Sequence, residues 1–270
     1  MRPETYITTS WDDGHPLDLR VAELLHKYAL PGTFYVPMTA ATETMSAGQL
    51  QELALGFEIG AHTLRHNLLT RATEQQAARE IIDSKSWVEG NTGSPCLMFC
   101  APAGKFRSQH LKMIREAGYL GLRSVESISL DFPRRKAGIL LMPTTIQAHP
   151  HGFLAFARNA AKRAAFRNLW RLLLHGRSTE WPKLAQSLLL EAVKFGGVFH
   201  LWGHSWEVQE NDQWKRLAET FRFMSWFVSQ AAPLTNGQIC QRCLSQVASV
   251  DEAPQVERPP LVAARLDRKS

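Results

Sequence analysis

Short β-like runs alternate with longer amphipathic helical runs from about residue 5 to residue 240 of this chain. The first unit shows the pattern: residues 6–11 are extended, residues 17–28 carry apolar side chains at helical spacing, and residues 32–37 form the next extended run. Strands that alternate with helices favour a parallel sheet, and about seven such units favour closure of that sheet into a barrel. The sequence therefore predicts an α/β barrel that forms a single domain.

The predicted barrel domain covers residues 1–240, and residues 241–270 are predicted to form a partly disordered C-terminal extension. The last twenty residues are rich in proline and in charged side chains, which is typical of a segment without its own core. The whole chain of 270 residues is 44% hydrophobic and contains 8 Trp and 13 Phe. It therefore holds enough apolar material for one sizeable core.

The formal net charge is +6, from 31 basic and 25 acidic residues. This excess is compatible with an acidic glycan or an anionic membrane surface. No zinc-finger spacing, phosphate-binding glycine loop or aromatic–basic RNA motif accompanies it, so we expect no nucleic-acid partner. Because the sequence shows neither a long apolar run nor an N-terminal leader, we expect a cytoplasmic protein, and its 4 Cys fit a reducing compartment.

Polar side chains follow several predicted strands at the point where each strand ends. Asp12 and Asp13 follow the first strand, His62 and His66 follow the third, and His204 follows the last. The carboxyl ends of parallel strands meet at one rim of a barrel, where ligands bind. We therefore expect these side chains to lie close together.

Two imidazoles and one carboxylate form a three-residue ligand set that leaves an open position on a divalent metal. Alone, an Asp-Asp-Gly run is typical of a turn, and two histidines four residues apart are often a chance pair. At one rim the two motifs together predict a metal site, with a helical turn that begins near Thr63 placing both imidazoles on one face. The second carboxylate is then available as a base.

The combination of "SWDDG", "HTLRH", "APAG" and a late strand that ends in a histidine resembles the polysaccharide deacetylases of carbohydrate esterase family four, the NodB-homology proteins. The order and spacing of these motifs match from about residue 5 to residue 240. The resemblance implies a distorted (β/α)7 barrel. It also implies metal-dependent hydrolysis of N- or O-acetyl groups on glycans.

The resemblance assigns roles to the residues that match its motifs. Asp12 matches the general base, whereas Asp13, His62 and His66 match the ligands of a divalent metal, which we expect to be Zn²⁺. His204 matches the acid that protonates the departing amine. His200 in the same strand is the alternative acid, although its mid-strand position favours a packed role.

Further residues complete the predicted site. The segment Pro102, Ala103 and Gly104 matches the loop whose backbone N–H helps to hold the developing oxyanion. Trp202 is placed to stack on a sugar ring. His149 also reaches the predicted rim, where substrate contact and simple loop placement remain equally compatible with the sequence.

Two departures from the family pattern stand out. Cys100 and Ala101 occupy the region where many members carry an arginine that pairs with the base. Arg123, at the end of the following strand, is a candidate for that charge, and an ordinary surface arginine is the alternative. The acid of the family's fourth motif has only a weak candidate in Asp131.

We predict that the protein removes an acetyl group from an N-acetylated sugar of a polysaccharide or surface-glycan precursor. Two alternatives remain: a cyclic-amide amidohydrolase similar to allantoinases, and a non-catalytic glycan-binding barrel. The basic stripe of Arg163, Arg167 and Arg171 suggests peripheral contact of residues 158–171 with an anionic membrane, and a solvated helix face is the alternative. Cys240 and Cys243 are interpreted as an incidental helical pair, and the oligomeric state stays open.

Overall fold

The computed structural model describes residues 3–150, 166–175 and 180–251. The strands of this part of the chain are β1 Thr5–Asp12, β2 Thr33–Val36, β3 Glu58–Ala61, β4 Met98–Cys100, β5 Gly121–Arg123, β6 Arg134–Lys136, β7 Ile139–Met142, β8 Ile146–Gln147, β9 Gly197–Gly203 and β10 Ala232–Pro233. The helices are α1 Asp18–Lys27, α2 Ala47–Ala54, α3 Glu74–Thr92, α4 Ser108–Glu116, α5 Phe166–His175, α6 Trp181–Phe195, α7 Ser205–Glu210, α8 Trp214–Ser225 and α9 Asn236–Asp251.

The strands form one sheet with the spatial order β6-β7-β5-β4-β3-β2-β1-β9-β8, and β10 pairs with β1. Strands β1 to β5 and β7 to β10 pair in parallel, whereas the edge strand β6 runs antiparallel to β7. Helices separate most successive strands along the chain, as parallel connections require. The predicted parallel α/β architecture is therefore confirmed.

The sheet closes through the short segment between β7 and β8. Strand β7 pairs with β5 at one side of the sheet, and β8 pairs with β9 at the other side. Only residues 143–145 separate β7 from β8, and this segment bonds in both directions, since Thr144 N–H donates to Glu126 O and Thr145 N–H donates to His200 O. If β7 and β8 are counted as one bent strand, the ring has seven members, which confirms the distorted (β/α)7 barrel.

Successive side chains of the strands alternate between the interior of the barrel and its outer, helix-covered face. In β1, Tyr6 joins a buried cluster with side chains of β2, β4, β7 and β9, whereas Ile7 and Trp11 belong to the larger cluster that includes the helices. Side chains with even numbers in β1 therefore face the barrel interior, because successive side chains point to opposite faces of a strand. Asp12 occupies the last inward position of this strand.

The helices cover the outer face of the ring, and their starts follow capping rules. Ser46 and Thr73 cap α2 and α3, and in each case the residue at the third helical position, Gln49 or Gln76, completes a capping box. Buried apolar side chains of these helices pack on the outward residues of the strands. The helices thereby fix the strand ends that carry the polar residues.

Helix α9 packs against the inner cluster through Ile239 and Cys240. Half-buried Glu58 of β3 accepts hydrogen bonds from Gly237 N–H at 3.0 Å and from the Thr33 hydroxyl at 2.6 Å, which ties the start of the helix to the sheet. The domain boundary predicted at residue 240 falls inside this helix, and residues 252–270 lie outside the described part. Among the described residues, no helix combines the length and apolarity that a membrane crossing requires.

Substitution of Thr145 by Val tests the closure of the ring. The buried Thr145 hydroxyl donates to Ser129 O at 2.7 Å and accepts from His200 N–H at 2.9 Å. Valine keeps the shape of the side chain but removes the hydroxyl, so the Ser129 carbonyl and the His200 N–H lose their partner. We therefore expect a loss of about 1–3 kcal/mol in the free energy of unfolding. Urea denaturation measures it, and Thr92→Val on helix α3 is the control. Equal stability of both variants would contradict the proposed closure.

Candidate metal centre and active site

The end of β1 directs its two aspartates to different neighbours. Asp12 completes the inward series of the strand, whereas Asp13 adopts a left-handed backbone conformation with φ 79°. Gly14 follows with φ 61°, and a Cβ at this position would lie 2.5 Å from Val36 Cγ1. The turn therefore requires glycine, and it separates the two adjacent carboxylates.

His62 and His66 lie on a loop after β3, and the predicted helical turn is wrong. Thr63 and His66 have φ values of 60° and 54°, which a right-handed helix does not allow. The buried Glu80 of α3 holds this loop, because it accepts hydrogen bonds from Arg65 N–H at 2.9 Å and from the Asn67 amide at 2.7 Å. The loop brings the two rings together with their centroids 4.9 Å apart.

The donors of Asp13, His62 and His66 converge as the sequence predicts. Asp13 Oδ1 lies 3.4 Å from His62 Nε2 and 3.1 Å from His66 Nε2, and the three donor atoms lie within 4.8 Å of one another. Oδ1 is buried without a hydrogen-bond partner, whereas Oδ2 accepts from Trp206 Nε1 at 3.0 Å. A carboxylate oxygen and two imidazole nitrogens that meet in this way fit a divalent metal ion.

The tautomer of His62 also suits a metal ligand. Its Nδ1 lies 2.8 Å from the carbonyl oxygen of Cys100, so Nδ1–H donates to that oxygen. The lone pair of Nε2 is then free to face Asp13. A backbone carbonyl that fixes the ring in this manner is a common partner of metal-ligating histidines.

A second group of potential ligands consists of Asp12, His62 and Cys100, and it shares His62 with the first. Cys100 is fully surrounded by protein, and burial raises the pKa of its thiol well above the ordinary value. Metals bind the thiolate, which this environment disfavours. The set of Asp13, His62 and His66 is therefore the better candidate.

Arg123 lies at the end of β5 and is completely buried. Its guanidinium donates to both carboxylate oxygens of Asp12, and it also lies 4.7 Å from the ring centroid of Trp202 and 5.3 Å from that of Tyr35. The structure thus places a positive charge beside Asp12. The region of Cys100 and Ala101 lacks the arginine expected there, and Arg123 lies beside Asp12 instead. The alternative of a surface arginine is excluded.

The two aspartates are held in their charged forms. Burial by itself raises the pKa of the Asp12 carboxyl, but the charges of Arg123 and His204 outweigh this effect, and the pKa lies below the ordinary value. Burial also raises the pKa of Asp13, but its close contacts with the imidazoles of His62 and His66 hold the pKa far below the ordinary value. Both groups are therefore carboxylates at neutral pH.

His204 follows β9 directly and caps the start of helix α7. Its Nε2 lies 4.0 Å from Asp12 Oδ2 and 4.0 Å from Asp13 Oδ2, and its Nδ1 lies 2.6 Å from Glu207 Oε2. Burial lowers the pKa of this imidazole, but the opposite effect of Glu207 and the two aspartates is larger and raises the pKa to about 8. His204 therefore carries a proton at neutral pH.

His200 lies inside the barrel, one inward position before Trp202. Its Nδ1–H donates to the Pro143 carbonyl at 3.0 Å, and its Nε2 lies 2.8 Å from the Ser10 hydroxyl. Burial and the charge of Arg123 lower the pKa of His200 to about 3. A neutral ring whose single N–H is bound to the Pro143 carbonyl is a poor proton donor, so the geometry favours His204 over His200 as the candidate acid.

The predicted oxyanion loop forms a short 3₁₀ turn over Pro102–Gly104. Ala103 and Gly104 have φ values of 54° and 62°, and a Cβ on Gly104 would lie 2.3 Å from Val125 Cγ2. The turn is therefore tightly specified by Gly104. Its pairing with a substrate remains a prediction.

Trp202 and His149 both lie beside the His204–Glu207 pair. The Trp202 ring contacts His204 edge-on with centroids 5.6 Å apart, and His149 Nε2 lies 4.0 Å from Glu207 Oε1. These contacts place both side chains at the rim. Their contact with substrate remains a prediction.

Other sequence candidates lie elsewhere. Asp131 forms ion pairs with Arg167 and Arg171 at 3.6 and 3.9 Å. Arg171 also binds Glu191 at 2.9 Å, so part of the predicted basic stripe is neutralised within the fold. Arg163 and the rest of residues 158–165 lie outside the described residues.

Cys240 and Cys243 lie on α9, as the helical interpretation predicts.

Two contacts of the site were missed in the sequence. Glu207 orients His204, and their spacing of three residues after a strand is a signal that could have found it. The second contact is that of Trp206, whose indole N–H donates to Asp13. Nothing in the local sequence around Trp206 indicates this long-range bond.

Comparison with known proteins agrees with these motifs. The family model described as "Polysaccharide deacetylase" matches residues 2–122. A peptidoglycan-N-acetylglucosamine deacetylase of Bacillus cereus is 29% identical over 118 residues, which is 43% of this chain. The match spans about half of that relative, 54% of its length.

Similar solved structures support the fold. A Mycobacterium smegmatis protein assigned as a polysaccharide deacetylase has a TM-score of 0.65 at 16% identity, with 95% of this chain and 96% of the other covered. A peptidoglycan N-acetylglucosamine deacetylase has a TM-score of 0.55 at 13% identity, with 89% and 90% covered. At these identities the likeness establishes the architecture alone.

Substitution of Glu207 by Gln tests the orientation of His204. The carboxylate favours the protonated imidazole, so its removal should lower the pKa of His204 from about 8 toward the ordinary value of about 6.5. NMR titration of the ring in protein stripped of divalent ions measures this shift. Glu210→Gln, at the exposed end of the same helix, should leave the titration unchanged. An equal pKa in wild type and Glu207→Gln would refute the assignment.

Proposed function

We propose that this protein hydrolyses the acetamide of an N-acetylated sugar in a polysaccharide or surface-glycan precursor, because residues 2–122 match the polysaccharide deacetylase family model. The observation that carries the proposal is the juxtaposition of two groups. The buried Asp12–Arg123 pair lies beside the convergent donors of Asp13, His62 and His66. A carboxylate base next to a metal site is the machinery of metal-assisted hydrolysis.

Asp13, His62 and His66 would hold the metal, and we propose Zn²⁺ because two imidazoles and one carboxylate suit its preferences. When bound, the ion supplies Lewis acidity for the acetyl carbonyl and for water. The donor set comes from two loops with left-handed residues. The site is therefore formed by the fold before any substrate arrives.

Asp12 is the proposed base that accepts the proton of the attacking water. Arg123 holds this carboxylate at one edge of the site and lowers its pKa, so the base is ionised and its orientation is fixed. Arg123 therefore acts as a positioning residue. The backbone N–H of Ala103 is the proposed donor to the oxygen that becomes negative as the carbonyl is attacked.

His204 is the proposed acid that protonates the departing amine. Its Nδ1–H donates to Glu207, so the proton on Nε2 faces the two aspartates across 4.0 Å. A group with a pKa of about 8 is protonated at neutral pH and is still able to release its proton. The base and the acid thus lie on opposite halves of the chain and meet at one rim.

Acetate release distinguishes the proposed reaction from its alternatives. A deacetylase releases acetate from N-acetylated oligosaccharides, whereas a cyclic-amide amidohydrolase opens a ring such as that of allantoin and releases none. A non-catalytic glycan-binding barrel would bind the oligosaccharide without turnover. The presence of the base Asp12, which a binding barrel does not need, favours catalysis.

Metal content is expected to be about one divalent ion per chain in protein purified without chelator or metal-binding tag. Asp13→Ala and His66→Ala each remove one of three ligands and should abolish stoichiometric binding. Cys100→Ala is the control, because its thiol belongs only to the alternative ligand set. Measurement of the metal content by mass spectrometry distinguishes the two ligand groups. Loss of the metal in Cys100→Ala with retention of the metal in His66→Ala would favour the group that contains the thiol.

Substitution of Arg123 by Met should impair catalysis far more than metal binding. The base would lose its fixed position, and we expect kcat to fall by about 100-fold or more. Because the arginine lowers the pKa of Asp12, the variant should lose activity most strongly at low pH. Acetate release across pH measures both effects, and circular dichroism checks the fold. Equal losses of metal and activity, or no loss of either, would contradict a positioning role.

A further inference from the structure

A cavity of about 550 Å³ lies beside the predicted oxyanion loop. Ala103 and Gly104 of that loop form part of its wall, together with Ser124, the residue that follows Arg123. The cavity therefore shares the loop that the proposed reaction uses. A sugar bound next to the reacting one would lie within reach of it.

The wall of this cavity is positively charged. Lys105, Arg134 and Lys136 line it, and no acidic side chain does. Arg134 is neutralised by Glu126, since its guanidinium lies 2.6 Å from Glu126 Oε2. Lys105 and Lys136 form no ion pair or hydrogen bond with another side chain in the part of the chain that the structure describes. Two exposed positive charges thus remain without a counter-charge.

The placement of the basic residues on β6 follows the alternation of a strand. Arg134 and Lys136 line the cavity, whereas Arg135 between them does not. All three side chains are exposed on an edge strand, where charges commonly prevent unwanted pairing. Protection of the edge would use all three residues alike. Recognition of a ligand in the cavity would use only the two that face it.

We propose, on the basis of the proposed deacetylase function, that this cavity is an anion-binding subsite. It takes a carboxylate or phosphate substituent on a sugar adjacent to the acetylated one, and Lys105 and Lys136 pair with that charge. The substrate class is therefore an acetylated glycan with anionic substituents. Phe106, which also lines the cavity, offers apolar contact for the sugar that carries the charge.

Matched oligosaccharides test this assignment. The first pair is a peptidoglycan tetrasaccharide with its lactyl carboxylates and the same tetrasaccharide with those groups reduced to alcohols. The second pair is 6-O-phosphorylated chitotetraose and chitotetraose. Calorimetry measures the affinity for each, and acetate release measures turnover. Exposed charge pairs are individually weak, so we expect the two lysines together to give about tenfold tighter binding of the charged member of one pair.

The variant Lys105→Gln/Lys136→Gln should reduce that preference to about one, with a weaker dependence of affinity on salt. Arg135→Gln is the matched control, since it removes one charge from the same strand without touching the cavity, and it should keep the preference. The pair that shows the preference identifies the substituent as carboxylate or phosphate. Charge-independent affinity in the wild type, or a preference that survives in the double variant, would overturn the proposal.

The two readouts separate this proposal from the proposed reaction. Absence of acetate from every oligosaccharide would refute deacetylation, while the calorimetric preference would still decide whether the subsite exists. Conversely, acetate release combined with equal calorimetric affinity for the charged and neutral members would support deacetylation and exclude the subsite. An equal loss of preference in Arg135→Gln would assign the effect to the net charge of the strand.

Discussion

The buried ion pair between Asp12 and Arg123 is the interaction that links the site to the closed shape of the barrel. Strands β1 and β5 are four positions apart in the sheet, which in a flat sheet separates them by about 19 Å. An arginine side chain does not span that distance. The pair therefore forms only across the interior of a ring, and the closure between β7 and β8 brings its two members together. A buried charge without this partner would be strongly destabilising.

The layer beneath this pair is polar but uncharged. Burial raises the pKa values of Tyr35 and Cys100 and lowers that of His200 to about 3. Ser10 and the Pro143 carbonyl satisfy both nitrogens of His200, so the ring needs no proton from the site. Because these neighbours stay neutral, the charge of Arg123 acts mainly on the carboxylate of Asp12.

The sequence predicted the parts of the structure that depend on local pattern. The alternation of strands and helices determined the fold class, and the rule that polar groups gather at strand ends located Asp13 and His62. The backbone of the loop before His66 was mispredicted, because a four-residue spacing fits a helical turn as well as a loop with left-handed residues. The partnership of Arg123 stayed open for a different reason. Local sequence holds no information about distances across a barrel.

The proposed chemistry is divided between two parts of the chain. The two aspartates, the proposed metal-binding histidines and the proposed oxyanion loop lie within residues 2–122, the part that the family model matches. Lys105 also lies in that part, whereas Arg123, Lys136 and His204 follow it in the chain. The proposed hydrolysis therefore requires both parts, because Arg123 and His204 come from the second part. Arg134 and Lys136 of the cavity wall also come from the second part, so we expect recognition of the sugar substituents to depend mainly on that part.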